Sequence, residues 1–167
     1  LGLILIILSG IADSLDGLVA RKLKQASEYG TFLDSSLDRV SDFFYLLGFW
    51  IVFWRFTDRG LSTLVLVIAL MLTFMISYTK ARAEGLGIQC RIGIMDRGLR
   101  VLYLIAWCAF IVFVPSQVHK TLWIGLTVYC GLTLYTVIQR ISHVRSQCST
   151  GQTANDRQHN VDRKTIN

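Results

Sequence analysis

Residues 12–39 read ADSLDGLVARKLKQASEYGTFLDSSLDR, and the reading of the whole chain depends on this stretch. It carries four aspartates at fixed offsets: Asp13 and Asp16 are three apart, Asp34 and Asp38 four apart. On a helix either spacing puts both members of a pair on one face. Gly17, Ala20, Arg21 and Gly30 lie between the pairs, and apolar runs flank the stretch on both sides. Two helices joined by a short basic turn (Arg21, Lys22, Lys24) would bring the four carboxylates to one point. Such a cluster repels itself unless a cation sits within it, and an all-oxygen donor set suits Mg²⁺, Mn²⁺ or Ca²⁺ rather than zinc. Near a membrane the argument sharpens, because a lone Asp at the centre of a membrane helix costs about 2.5–3.5 kcal/mol. The plain alternative is a solvated helix–loop–helix whose acids pair with Arg21 and Arg39. The regular spacing of both pairs speaks against it.

Outward from this stretch the chain is apolar. Residues 1–12 (LGLILIILSGIA) form a charge-free half-helix leading into Asp13, and Gly30 is expected to precede the next helix, whose apolar half is 43–54. At 1.5 Å per residue, twelve residues cover about 18 Å of a roughly 30 Å hydrocarbon core, so the acids lie inside the membrane boundary but near one surface. Residues 60–79, 101–118 and 121–138 are further runs of near-spanning length, which makes about five membrane helices in an all-α, polytopic bundle. Residues 1–145 form one membrane domain. The polar stretch 146–167, rich in Ser, Thr, Asn, Gln and charge, is expected to be a disordered cytoplasmic tail.

Composition agrees: the 167 residues are 53% hydrophobic with a positive mean hydropathy, too apolar for an ordinary soluble domain. The net charge of +6 does not point to nucleic acid, since the basic residues fall between apolar runs rather than in a patch. Fourteen of the 17 Lys and Arg residues lie on the side of the acids; only Arg55, Arg59 and Lys120 lie on the other. That asymmetry turns the carboxylates toward the cytoplasm. Cys90, Cys108, Cys130 and Cys148 form no CxxC pair, and His119, His143 and His159 no ligand pair, so neither type is assigned chemistry.

The pattern Asp13-x2-Asp16-Gly17-x2-Ala20-Arg21-x8-Gly30-x3-Asp34-x3-Asp38 resembles the signature of the CDP-alcohol phosphatidyltransferases, with all eight fixed positions filled. It does not resemble an EF-hand, which packs its ligands into twelve contiguous residues. The resemblance implies six membrane helices with the signature joining the second to the third, so the first is expected to be absent from this chain. It also implies a CDP-linked lipid donor such as CDP-diacylglycerol, whose β-phosphorus an acceptor hydroxyl attacks to release CMP, and a homodimer formed through membrane helices. Asp13, Asp16 and Asp34, with Asp38 close by, are the candidate ligands of two Mg²⁺ or Mn²⁺ ions clamping the diphosphate. The resemblance makes Asp38 the general base. Physically that requires that it not be consumed as a metal ligand, so base and ligand both stand. Gly17 and Ala20 suit close approach of the nucleotide or helix packing, and the signature favours the nucleotide. Arg21 offers planar donors to a phosphate of the CDP-lipid, against a snorkelling anchor.

A second cluster comprises 77–84 (SYTKARAE) and 96–100 (DRGLR), which close one membrane run and open the next on the side of the acids. The positive-inside rule accounts for cations here; the sharper reading is a pocket for a phosphorylated polyol acceptor. Arg97 and Arg100 share a helix face, whereas Lys80 and Arg82, two apart, cannot both enter one pocket. These elements are similar to the prokaryotic phosphatidylinositol-phosphate synthase branch and its archaeal-lipid counterpart, which implies inositol phosphate as acceptor, bound by Lys80, Arg97 and Arg100, in a bacterial or archaeal plasma membrane. Gly98 and Leu99 depart from that branch, where Pro and Glu are common. A phosphatidylglycerophosphate-synthase-like acceptor is the alternative, although no Lys-x-Lys element is present. Asp42 continues the Asp34–Asp38 face, to support the metals or to pair with Arg39. The rivals are a divalent-cation site or transporter, which leaves Gly17, Ala20 and Arg21 unexplained, and a non-catalytic scaffold, which four intact acids oppose.

Overall fold

The computed structural model describes residues 28–56 and 59–165. Four helices account for most of them: α1 (Glu28–Phe56), α2 (Arg59–Gly85), α3 (Arg97–Phe113) and α4 (Val118–Thr165), with a 3₁₀ turn at Pro115–Gln117 before the last. No strand occurs among the described residues, so the all-α class expected from the sequence is the class observed.

Each helix turns one face inward at helical spacing. In α1 the buried face is Asp42, Leu46, Phe49 and Phe53, and in α2 it includes Leu66, Ala69, Thr73 and Ile76. In α3 it is Arg100, Leu104 and Trp107, and α4 contributes Leu122, Leu126, Tyr129, Thr133 and Thr136. α2 packs most extensively on α4, where Ala69, Thr73, Thr133 and Thr136 let the backbones approach. The indole of Trp107 stacks on Phe49 with centroids 4.1 Å apart, and its Nε1 donates to the Thr121 carbonyl. A Cβ on Gly125 would fall 2.0 Å from that indole, so glycine is required for α3 and α4 to close on each other there.

Around this apolar core the surface is unusually apolar as well, and several polar groups are buried. Asp42, Thr73, Arg100, Thr136 and Arg140 are buried, while Ile51, Leu64, Met71, Phe113 and Ile124 are more than half exposed. An outer surface of this kind is what hydrocarbon covers. Of the expected five or so membrane helices, two regions among the described residues are long and apolar enough to cross a bilayer, Arg59–Gly85 and Pro115–Ser149. The run 101–118 is divided by the turn at Pro115, which leaves α3 at 17 residues, or about 25 Å. The run at 1–12 lies outside the described residues.

Two boundaries differ from expectation. Gly30 lies within α1, whose described part runs Glu28–Phe56, rather than ahead of that helix. Glycine inside a helix costs only about 1 kcal/mol relative to alanine, which the packing of a long helix readily offsets. α4 continues to Thr165, through a stretch whose composition predicts disorder. Extending a helix that packing has already nucleated costs far less than starting one.

Candidate active site

The ends of α1, α2 and α3 and the middle of α4 meet around a cavity of about 490 Å³. Its wall includes Ser35, Asp38 and Arg39 from α1, Ser77, Lys80 and Glu84 from α2, Arg97 and Arg100 from α3, Asp96 just ahead of α3, and Arg140 from α4. Asp38, Lys80, Arg97 and Arg100, singled out from two separate stretches of sequence, therefore line one space. Arg82 is not among the lining residues, as its two-residue offset from Lys80 requires.

The α2–α3 connection brings Asp96 and the start of α3 to the cavity. α2 ends in a left-handed Gly87 (φ 76°), with the Ile88 N–H donating back to the Ala83 carbonyl at 3.0 Å. Asp96 caps α3 through the Leu99 N–H at 3.2 Å, which fixes the direction in which Arg97 and Arg100 leave the loop. Gly93 (φ 114°) lies so close to α4 that a Cβ would meet Thr136 Cγ2 at 2.6 Å. Arg140 ties this loop to α2, donating from Nε to the Ile92 carbonyl of the loop at 2.9 Å and from Nη1 to the Ile76 carbonyl of α2 at 2.5 Å. The Met95 N–H donates to Thr136 Oγ1 at 3.1 Å.

Two ion pairs tie α1 to α3. Arg97 Nη2 stands 2.6 Å from Asp38 Oδ1, with the side chains 30% and 16% exposed. One turn deeper, Arg100 Nη2 stands 2.8 Å from Asp42 Oδ2, and both side chains are buried. Asp42 thus pairs with Arg100 and not with its helix neighbour Arg39, whose Nη1 bonds the Ser35 carbonyl of its own helix. Lys80 is half exposed and loosely paired with Glu84 at 3.9 Å, a contact too weak to hold it from a ligand.

Asp34 and Asp38 are one turn apart on α1, Asp34 exposed and Asp38 in the cavity wall. Two carboxylates so placed fit half of an oxygen donor set for a hard divalent cation. Asp13 and Asp16, the other half, lie outside the described residues, as do Gly17, Ala20 and Arg21. Among the described residues no three His, Cys, Asp or Glu side chains converge as a metal site. Arg140 and the Asp42 partner were missed in the sequence. Arg140 read as one more topology-setting cation, and the signal distinguishing it is a guanidinium seven residues beyond Thr133 on the same buried face.

A family model described as CDP-alcohol phosphatidyltransferase matches residues 1–135. The chain is similar to an archaetidylinositol phosphate synthase of Methanothermobacter thermautotrophicus, 38% identical over 147 residues, covering 86% of this chain and 69% of that one. It is also similar to a phosphatidylinositol phosphate synthase of Cutibacterium acnes, 36% identical over 83% of this chain and 70% of the relative. Among solved structures, that of Mycobacterium tuberculosis phosphatidylinositol phosphate synthase with CDP-DAG bound superposes with a TM-score of 0.68 at 29% identity, covering 78% of this chain and 66% of that one. The chain thus spans about two thirds of the length of these relatives. A match of this extent to the family model, with relatives of this similarity, establishes that the chain belongs to the CDP-alcohol phosphatidyltransferase family.

Proposed function

We propose that the protein transfers a phosphatidyl group from a CDP-linked lipid to a hydroxyl of a phosphorylated polyol, inositol phosphate first, with release of CMP. The observation that carries this reading is the single cavity that gathers Asp38 with Lys80, Arg97 and Arg100. An anion held by Lys80 and the α3 arginines lies beside the carboxylate that must act on the acceptor. The names of the relatives support inositol phosphate over other phosphorylated acceptors.

In this mechanism the acceptor's phosphate binds Lys80, Arg97 and Arg100, which orients the attacking hydroxyl toward Asp38. Asp38 accepts the hydroxyl proton as the oxygen–phosphorus bond forms at the lipid's β-phosphate, and the bond to the CMP oxygen breaks in line. Arg21, Gly17 and Ala20 hold the cytidine diphosphate part of the donor. Asp13, Asp16, Asp34 and Asp38 would hold two Mg²⁺ or Mn²⁺ ions, which supply charge neutralisation of the diphosphate. Residues 1–145 act as one multi-pass domain of a plasma membrane with its site toward the cytoplasm, and 146–167 as a polar cytoplasmic extension. The protein works as a homodimer.

The test is CMP release from radiolabelled CDP-diacylglycerol by the purified protein in detergent with Mg²⁺. Inositol phosphate, glycerol phosphate, inositol, serine and choline are compared, with Asp34→Asn as the control. Release stimulated by inositol phosphate and lost in the variant is expected. Stimulation by glycerol phosphate alone would transfer the assignment to that acceptor, and metal-independent release unchanged in Asp34→Asn would sink the mechanism.

A further inference from the structure

Asp42 occupies no position of the aspartate signature and does not line the cavity, yet it is 3% exposed and faces Arg100, which does line it. The Arg100 guanidinium is spent unevenly. Its Nη2 meets Asp42 Oδ2 at 2.8 Å, and its Nη1 reaches the Met95 carbonyl only at 3.4 Å. Its Nε is buried without a hydrogen-bond partner. A buried guanidinium N–H left unmatched is costly, and an anion oxygen in the adjoining cavity is the partner its chemistry selects.

We propose that Asp42 is a positioning residue for acceptor recognition: from behind the cavity wall it fixes the Arg100 guanidinium so that the N–H groups not spent on Asp42 and Met95 serve an oxygen of the acceptor's phosphate. The proposal rests on the reading that Lys80, Arg97 and Arg100 hold that phosphate. It makes Asp42 necessary for phosphorylated acceptors and indifferent to the CDP-lipid. Simple electrostatics gives the opposite sign, because deleting a carboxylate beside an anion site raises the local positive potential and should tighten phosphate binding. Positioning and charge are therefore separable in one variant.

The experiment measures KM for inositol phosphate and for CDP-diacylglycerol in the purified full chain, with inorganic phosphate as competitor. In Asp42→Asn the acceptor KM is expected to rise about tenfold, and phosphate to compete about tenfold less well, on the scale of one charge-assisted hydrogen bond. The KM for the CDP-lipid is expected to hold within about twofold, and Asp42→Glu to recover part of the loss. Arg100→Lys keeps a cation opposite Asp42 but lacks those further N–H groups, so it keeps the measurement readable if Asp42→Asn does not fold. It should show the same split between the two substrates, and combining it with Asp42→Asn should add no further loss. An acceptor KM that is unchanged or lowered in Asp42→Asn overturns the proposal. So do losses that add in the double variant, or two KM values that rise together. If the unmodified chain releases CMP with no phosphorylated acceptor, the underlying reading falls and the proposal with it; activity with an unmoved KM in the variants sinks the role of Asp42 alone.

Discussion

Arg100 and Arg97 differ by one helical turn and by almost everything that matters energetically. Arg97 is partly solvated against Asp38, so its loss is expected chiefly to weaken acceptor binding and to cost little stability. Arg100 is sealed against Asp42, so Arg100→Ala leaves a buried carboxylate without its partner and is expected to cost about 3–5 kcal/mol. Replacing both, as Asp42→Leu with Arg100→Met, should return most of that stability while the protein fails to use a phosphorylated acceptor. Thermal unfolding in detergent, read beside CMP release, checks both halves. For Asp38→Asn, steady-state CMP release is expected to fall by about 10²–10⁴-fold if the carboxylate takes the acceptor proton. Spacing made Arg97 and Arg100 legible as neighbours on one face. It could not reveal the partner of Asp42, because the local candidate Arg39 is three residues away and the actual one is 58 away. Periodicity reports faces of a helix, not which faces meet.

At the scale of elements, the loop between α2 and α3 brings Asp96 to the cavity wall, and Gly93 is where that loop presses closest on α4. Gly93→Ala must shift the loop off Thr136 and adopt a backbone conformation that L residues avoid, which should cost about 1–3 kcal/mol. Because the same loop carries the Ile92 carbonyl that Arg140 holds, the variant should also raise the acceptor KM; differential scanning and kinetics together read this. Asp96→Ala removes the cap of α3 and is expected to cost about 1 kcal/mol, measured the same way. The apolar runs announced α2 and most of α3 and α4, since burial and membrane contact both follow hydropathy. The inclusion of Gly30 in α1 and the continuation of α4 beyond residue 145 were not legible. Both depend on what neighbouring turns already contribute, which residue preference does not encode.

Among the described residues the bundle buries Asp42, Arg100 and Arg140 and leaves much apolar surface on its outside, and its single exposed cysteine makes its orientation measurable. Cys148 is exposed on α4, while Cys90 is buried and Cys108 and Cys130 are partly buried on α3 and α4. With the site toward the cytoplasm, a membrane-impermeant maleimide should label Cys148 in inverted vesicles and leave it unmodified in intact cells. The reverse pattern would turn the bundle over. The Asp42–Arg100 pair has a consequence for how such a bundle is made. Its halves are 58 residues apart, so at about 5–20 residues per second the ribosome delivers Arg100 roughly 3–12 s after Asp42. During that interval Asp42 lacks the Arg100 guanidinium that the finished bundle gives it. α1 therefore completes this buried contact only after α3 has been made, and the pair joins an earlier-made and a later-made part of the chain.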